Sequence, residues 1–142
     1  MPIYAEKDFP LGQVQLRRTK PRMAVLLEDF QFVSPTLGLI TVEKGFDTDY
    51  ASIPRIFWSI YPPDGDYTEA AVVHDCLYWY QCYTNVDGKV VDLSRKDADT
   101  VLLEAMTAIE IPFHRRHIIH KAVRFGGWVA WNKRSKQILE SK

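Results

Sequence analysis

The stretch that most restricts this chain is Thr68 to Tyr83, TEAAVVHDCLYWYQCY, where a histidine and an aspartate stand side by side inside an otherwise apolar run. At helical spacing Ala70, Ala71, His74, Leu77 and Tyr78 share one face, which aims the His74 imidazole where a core residue belongs. SRKDADTVLLEAMTAIE repeats the oddity: Asp99, Leu102, Leu103 and Met106 fall at i, i+3, i+4 and i+7, so a carboxylate lies on a buried stripe. A solitary charge away from water is costly. The expectation is therefore that His74 and Asp99 meet each other or share a bound ion.

Around these two helices the chain reads as one α+β domain over residues 1–142, β-rich over 1–50, an ordered loop over 51–66 and helical over 67–134. MAVLLEDFQFV and LGLITVEKGF are rich in β-branched and aromatic residues and are separated by the turn residues Ser34-Pro35-Thr36, which predicts an antiparallel hairpin or meander. Arg17, Arg18, Lys20 and Arg22 around Pro21 suit an exposed loop or edge strand. In GFDTDYASIPRIFWSIYPPDGDY, Asp47 and Asp49 stand at the head of a segment with loop chemistry, pinned by Phe57, Trp58 and Tyr61. Asp66 with Glu69 has the form of a capping box for the first helix. Asp87-Gly88 predicts a small hairpin wing, and Ser94 with Asp97 caps the second helix, which ends ahead of Pro112. A third helix runs from about Phe113 to Lys133, with Ile118, Ile119, Val123 and Trp128 as core candidates and a kink or close crossing at Gly126-Gly127.

Composition narrows the functional classes. With 46% hydrophobic residues but no apolar run of membrane-spanning length, the chain has no transmembrane segment, and MPIYAEKDFPLG lacks the pattern of a signal peptide. Synthesis in the cytoplasm follows as the expectation. Cys76 and Cys82 lie about 9 Å apart along one helix and point in different directions, so they should not bridge. Residues 43–110 are predominantly acidic, whereas 113–142 carry Arg115, Arg116, Lys121, Arg124, Lys133, Arg134, Lys136 and Lys142 against Glu140 alone. Such a basic arm serves either internal complementarity and a solvated helix face or a docking surface for an acidic partner or anionic lipid. No nucleic-acid motif, Gly-x-Ser-x-Gly elbow or phosphate-binding glycine loop is present.

GFDTDYASIPRIFW, AAVVHDCLY, SRKDADTVLLEAM and AVRFGGWVAW, in that order, resemble the signature of a bacteriophage and prophage protein family carried as a domain of unknown function. The resemblance implies a phage gene, made in the host cytoplasm and, in one outcome, incorporated in the virion. It supplies no activity. More locally, His-Asp-x-x-Tyr on one helix, followed on the next by an aspartate and an apolar run ending in methionine, is similar to the core of small bacterial phospholipases that cleave the sn-2 acyl chain. That similarity implies His74 as general base, Asp99 as its orienter, and Asp75 as a calcium ligand. Asp49, upstream, could complete the calcium shell, while Arg55, Trp58 and Tyr78 are the candidate binding residues. The glycine-rich calcium loop and the disulfides of those enzymes are missing here.

The His-Asp pair of the HD phosphohydrolases needs a histidine upstream, and the other histidines, His114, His117 and His120, all lie downstream. These three nearly line one helix face, where His117 and His120 could grip a transition metal. Two functions of different class remain. One is a calcium-assisted ester or lipid hydrolase acting at the host envelope; the other is a non-enzymatic virion component of tail or neck, or an assembly protein, that docks on other phage structural proteins or an anionic envelope component.

Overall fold

Strand chemistry in the first third produces three short antiparallel ladders rather than one broad sheet. The computed structural model describes residues 7–20, 23–48 and 67–142; Asp49, Arg55, Trp58 and the aromatic loop with Phe57 and Tyr61 lie outside them. β1 (Leu16–Lys20), β2 (Met23–Leu26) and β5 (Asp47–Thr48) form a sheet in the order β1-β2-β5, which makes the arginine-bearing β1 an edge strand. β3 (Phe30–Ser34) and β4 (Gly38–Val42) form the expected hairpin, in register from Phe30 opposite Val42 to Ser34 opposite Gly38. Period-two alternation sends Phe30, Phe32, Ile40 and Val42 inward, and Phe9 packs on Phe30 and Phe32 with ring centroids 5.7 and 5.4 Å away. β6 (Cys82–Thr84) and β7 (Val90–Asp92) make the wing, closed by Asn85 to Lys89 with Gly88 at φ 77°.

α1 (Thr68–Tyr80) is the axis of the molecule. Every residue from Glu69 to Tyr78 is buried, so a single apolar face understates it: α2 (Arg95–Ala108) lies along it, and β4, β5 and α4 contact it as well. Small side chains make this possible, since Ala70 and Ala71 on α1 and Ala98 and Ala105 on α2 are all essentially inaccessible. The N-cap of α1 is Tyr67, with no side-chain capping bond; the Asp66 of the expected capping box is outside the described residues. α2 starts as predicted, with the Asp97 N–H donating to Ser94 Oγ over 3.1 Å, and ends at Ala108, a little short of Ile111. The hairpin is tied to α2 by Glu104, which accepts from Ser34 Oγ at 2.6 Å and from Thr36 Oγ1 at 2.7 Å.

The expected third helix is two helices, α3 (Phe113–Gly126) and α4 (Trp128–Glu140), so the described residues hold four. The break at Gly127 has a steric cause. A Cβ there would stand 2.6 Å from both the Tyr78 hydroxyl and the Val123 carbonyl oxygen, and only a glycine lets the corner press onto α1. Of the core candidates in this region Ile119 and Val123 are buried, but Ile118 and Trp128 are 45% and 54% exposed because they fall on the outward sides of the two helices. Gln81, just past α1, adopts a left-handed backbone (φ 53°) that costs a non-glycine residue about 1–2 kcal/mol. Its side chain offsets this by latching α4: Nε2 donates to the Trp131 carbonyl and Oε1 accepts from Ser135 Oγ.

Gly127→Ala should lower the unfolding free energy by about 1–3 kcal/mol, the usual cost of overpacking. Urea unfolding of the purified variant checks this, and an unchanged midpoint would mean that the corner does not bear on Tyr78.

Candidate active site

His74 and Asp99 meet directly, without an intervening ion. The helical stripes that carry them face each other across the α1–α2 contact, and His74 Nε2 lies 2.7 Å from Asp99 Oδ1, both side chains having no exposed surface. The same oxygen accepts from the Tyr78 hydroxyl at 2.7 Å, one turn along α1. The other carboxylate oxygen accepts from Arg124 Nη1 at 2.8 Å and Arg95 Nη1 at 3.3 Å. Arg95 also donates to the carbonyls of Val123 and Arg124, closing the end of α3 where the helix dipole is negative. One carboxylate thus collects donors from three helices.

Electrostatics follow from this donor set. Burial alone would push the Asp99 carboxyl up, but the hydrogen bond and charge of His74, with the bonds from Tyr78 and Arg124, outweigh it and hold the group below its ordinary value. An ionised carboxylate only accepts, so His74 Nε2 is the nitrogen that donates to it. Burial, followed by the Asp99 charge, drives the Tyr78 phenol well above its normal range, so Tyr78 stays a donor.

Asp75 follows His74 in sequence but faces another way. It is 8% exposed and accepts at Oδ2 from Thr48 Oγ1, 2.7 Å away, on the inward-facing residue of β5. Asp75 and Tyr78 both open onto a cleft of about 520 Å³ between the β4–β5 turn and α4, whose outer walls include Phe46, Tyr80, Lys133 and Arg134. The cleft's lining therefore includes the next residue after His74 and a tyrosine bonded to Asp99.

Of the residues expected from sequence, His74, Asp99 and Tyr78 form one connected centre and Asp75 borders it. Asp49, Arg55 and Trp58 lie outside the described residues. A calcium ion needs about six to eight oxygens, and Asp75 is the one expected ligand in view; among the described residues no group of three or more His, Cys, Asp or Glu side chains is placed to hold a metal. That includes the downstream histidines: the His117 ring packs tilted against Phe113 with centroids 4.2 Å apart, and burial lowers the pKa of His120. Arg95 and Arg124 are members of the centre that sequence spacing did not single out. Arg95 precedes Asp99 by four residues on one helix, a legible signal, whereas Arg124 had only its place in the basic arm. That arm is partly internal, since Arg116 donates to the Ile111 carbonyl and Arg134 to that of Trp79.

A model of the family described as "Protein of unknown function (DUF1353)" matches residues 24–123, a span that contains His74, Asp75, Tyr78 and Asp99. No curated protein and no solved structure matches the chain. Among the described residues no helix is long and apolar enough to cross a membrane.

Two outcomes check the centre. A depressed carboxyl contributes stability that is complete above its unfolded value, about pH 3.9, and is lost as pH falls through the folded one. Wild-type unfolding free energy should therefore decline below about pH 4, and Asp99→Asn should flatten that decline while costing about 3–5 kcal/mol at neutral pH. In addition, His74→Ala and Asp99→Ala together should destabilise by about 1 kcal/mol or more less than their separate losses added; additive losses would mean that the two side chains are uncoupled. The thiols are both free, and burial, then the Asp75 charge, raises Cys76 to about 12. Iodoacetamide should accordingly label the half-buried Cys82 in native protein and reach Cys76 only on unfolding, as peptide mass spectrometry would show.

Proposed function

We propose, for a chain that belongs to the DUF1353 family and so inherits no assigned activity, that it is a phage-encoded hydrolase cleaving a lipid or other ester of the host envelope. The observation that carries this is Asp99 Oδ1 at 2.7 Å from both His74 Nε2 and Tyr78 Oη. A carboxylate on one imidazole nitrogen fixes the tautomer and prepares the other to take a proton from water, and the same carboxylate stabilises the imidazolium that results. His74 is then the base, Asp99 its orienter, and Tyr78 holds Asp99 in place while facing the cleft. Because the imidazole is fully buried, water must reach it from the inner end of the cleft, beside Asp75 and Tyr78. Asp75 and Asp49 are the carboxylates proposed to hold calcium, which when bound supplies positive charge for a developing oxyanion.

The complete burial of His74 is also what a purely structural clamp would show, and a second function draws on a separate observation. Phe125 is 87% exposed, Phe113 67% and Val129 57%, exposed apolar side chains on α3 and α4 of the kind a virion component could use to dock on other phage proteins.

Fatty-acid release from short-chain glycerolipid esters, followed in wild type and His74→Gln, separates the two. The hydrolase should release acid, and His74→Gln, folded by circular dichroism, should lose about 10²-fold or more. Activity that survives chelation would remove calcium and leave His74 in its role. No release by the wild type, or full release by the variant, would sink the enzyme; particles that need Phe125 and Trp128 but tolerate His74→Gln would identify the docking protein.

A further inference from the structure

The cleft beside the centre has two chemically different sides. Asp75 and Asp47 stand on the α1 and β5 side, whereas α4 contributes Lys133 and Arg134. Arg134 is held rigidly. Its guanidinium lies over the Trp79 ring, 3.5 Å from the centroid, Nε donates to the Trp79 carbonyl at 2.7 Å, and Nη1 contacts Gln137 Oε1 at 3.4 Å. That leaves Nη2 without a partner among the described residues, and Lys133, exposed on the next position, has no carboxylate partner among them either. The same lining includes the apolar Met23, Phe46 and Tyr80; the two rings are tilted against each other at 6.3 Å. A volume of about 520 Å³ falls within the roughly 300–1,000 Å³ of small-molecule sites.

We infer that this cleft takes an anionic amphiphile: a phosphate-type oxyanion seated on Lys133 and the Nη2 edge of Arg134, with the apolar stem along Phe46 and Tyr80. The inference rests on the hydrolase function and names its substrate class, an ester carrying a negative head and an apolar chain. The lining supports it, because the cleft that carries Lys133 also carries Asp75 and Tyr78, the two lining residues nearest His74 in sequence. Charge supports it too. The preformed, stacked guanidinium loses little freedom on binding, and an exposed ammonium beside it adds attraction for an oxyanion while the acidic side disfavours one placed deeper.

Isothermal titration with monomeric octyl phosphate, inorganic phosphate and octyl glucoside tests this without requiring turnover. Octyl phosphate should bind more tightly than either comparator. Lys133→Glu should weaken it by about tenfold or more, while Lys136→Glu, the same charge change on α4 away from the cleft, should alter it by less than about threefold. Equal affinity for octyl glucoside would reduce the cleft to an apolar groove, equal affinity for inorganic phosphate to a plain oxyanion site, and equal effects of the two lysine variants to general charge; each overturns the inference. Titration needs no turnover, so binding without hydrolysis would defeat only the enzyme, and hydrolysis indifferent to Lys133→Glu only the anion-seating wall.

Discussion

A single buried carboxylate sets the arrangement of the helical half. Asp99 would be untenable alone in the interior, and its two oxygens are satisfied by donors from α1, α2 and α3 at once. Each donor fixes a different degree of freedom. His74 and Tyr78 set the rotation of α1, Arg95 binds the carboxylate and the end of α3 together, and Arg124 returns from α3 to the same oxygen. Interdigitated apolar side chains supply most of the cohesion, as in any domain of this size, but they would tolerate small slips of one helix along another. Four directed hydrogen bonds to one group do not.

The same constraint connects structure with chemistry. Holding a carboxylate ionised against burial requires donors, and donors arranged this way fix which imidazole nitrogen carries the proton. A centre built to be stable is thus also the arrangement that the proposed hydrolase would use. What distinguishes the two uses is access, and here the cleft lined by Asp75 and Tyr78 is the feature that a merely structural clamp would not need.

Much of this was legible in the sequence because helical spacing is a strong code. A histidine on one apolar stripe and an aspartate on another have few alternatives to finding each other, and the β3–β4 hairpin, the wing and the Ser94 cap follow from equally local signals. Other features were hidden because they depend on distant partners. That α1 is buried all round cannot be read from its own residues, since it reflects what β4, β5, α2 and α4 place over it. Splitting the last helix required knowing that the Tyr78 hydroxyl occupies the space beside Gly127. Arg124 looked like one more base in a basic arm until the fold carried it to Asp99. Ile118 and Trp128 lie outside the core, and spacing does not reveal it, because a helix with mixed apolar residues on several sides does not declare which of them faces inward.

The position of α4 has a consequence for how such a fold can diversify. It forms one side of the cleft, yet none of its residues is fully buried, and it is joined to the rest through a glycine corner, the Gln81 latch and the Trp131 ring edge-on to Tyr78. Its exposed positions, Lys133 among them, are consequently almost free of packing demands, whereas Ala130 and Trp131 pack against the core and Arg134 lies over Trp79. Substitutions there can change what the cleft could hold while leaving the hydrogen-bonded Asp99 centre and the core intact. In the proposed hydrolase, selectivity and catalysis would be carried by separable parts of the chain, and the selective part is the one that can drift at little cost to stability.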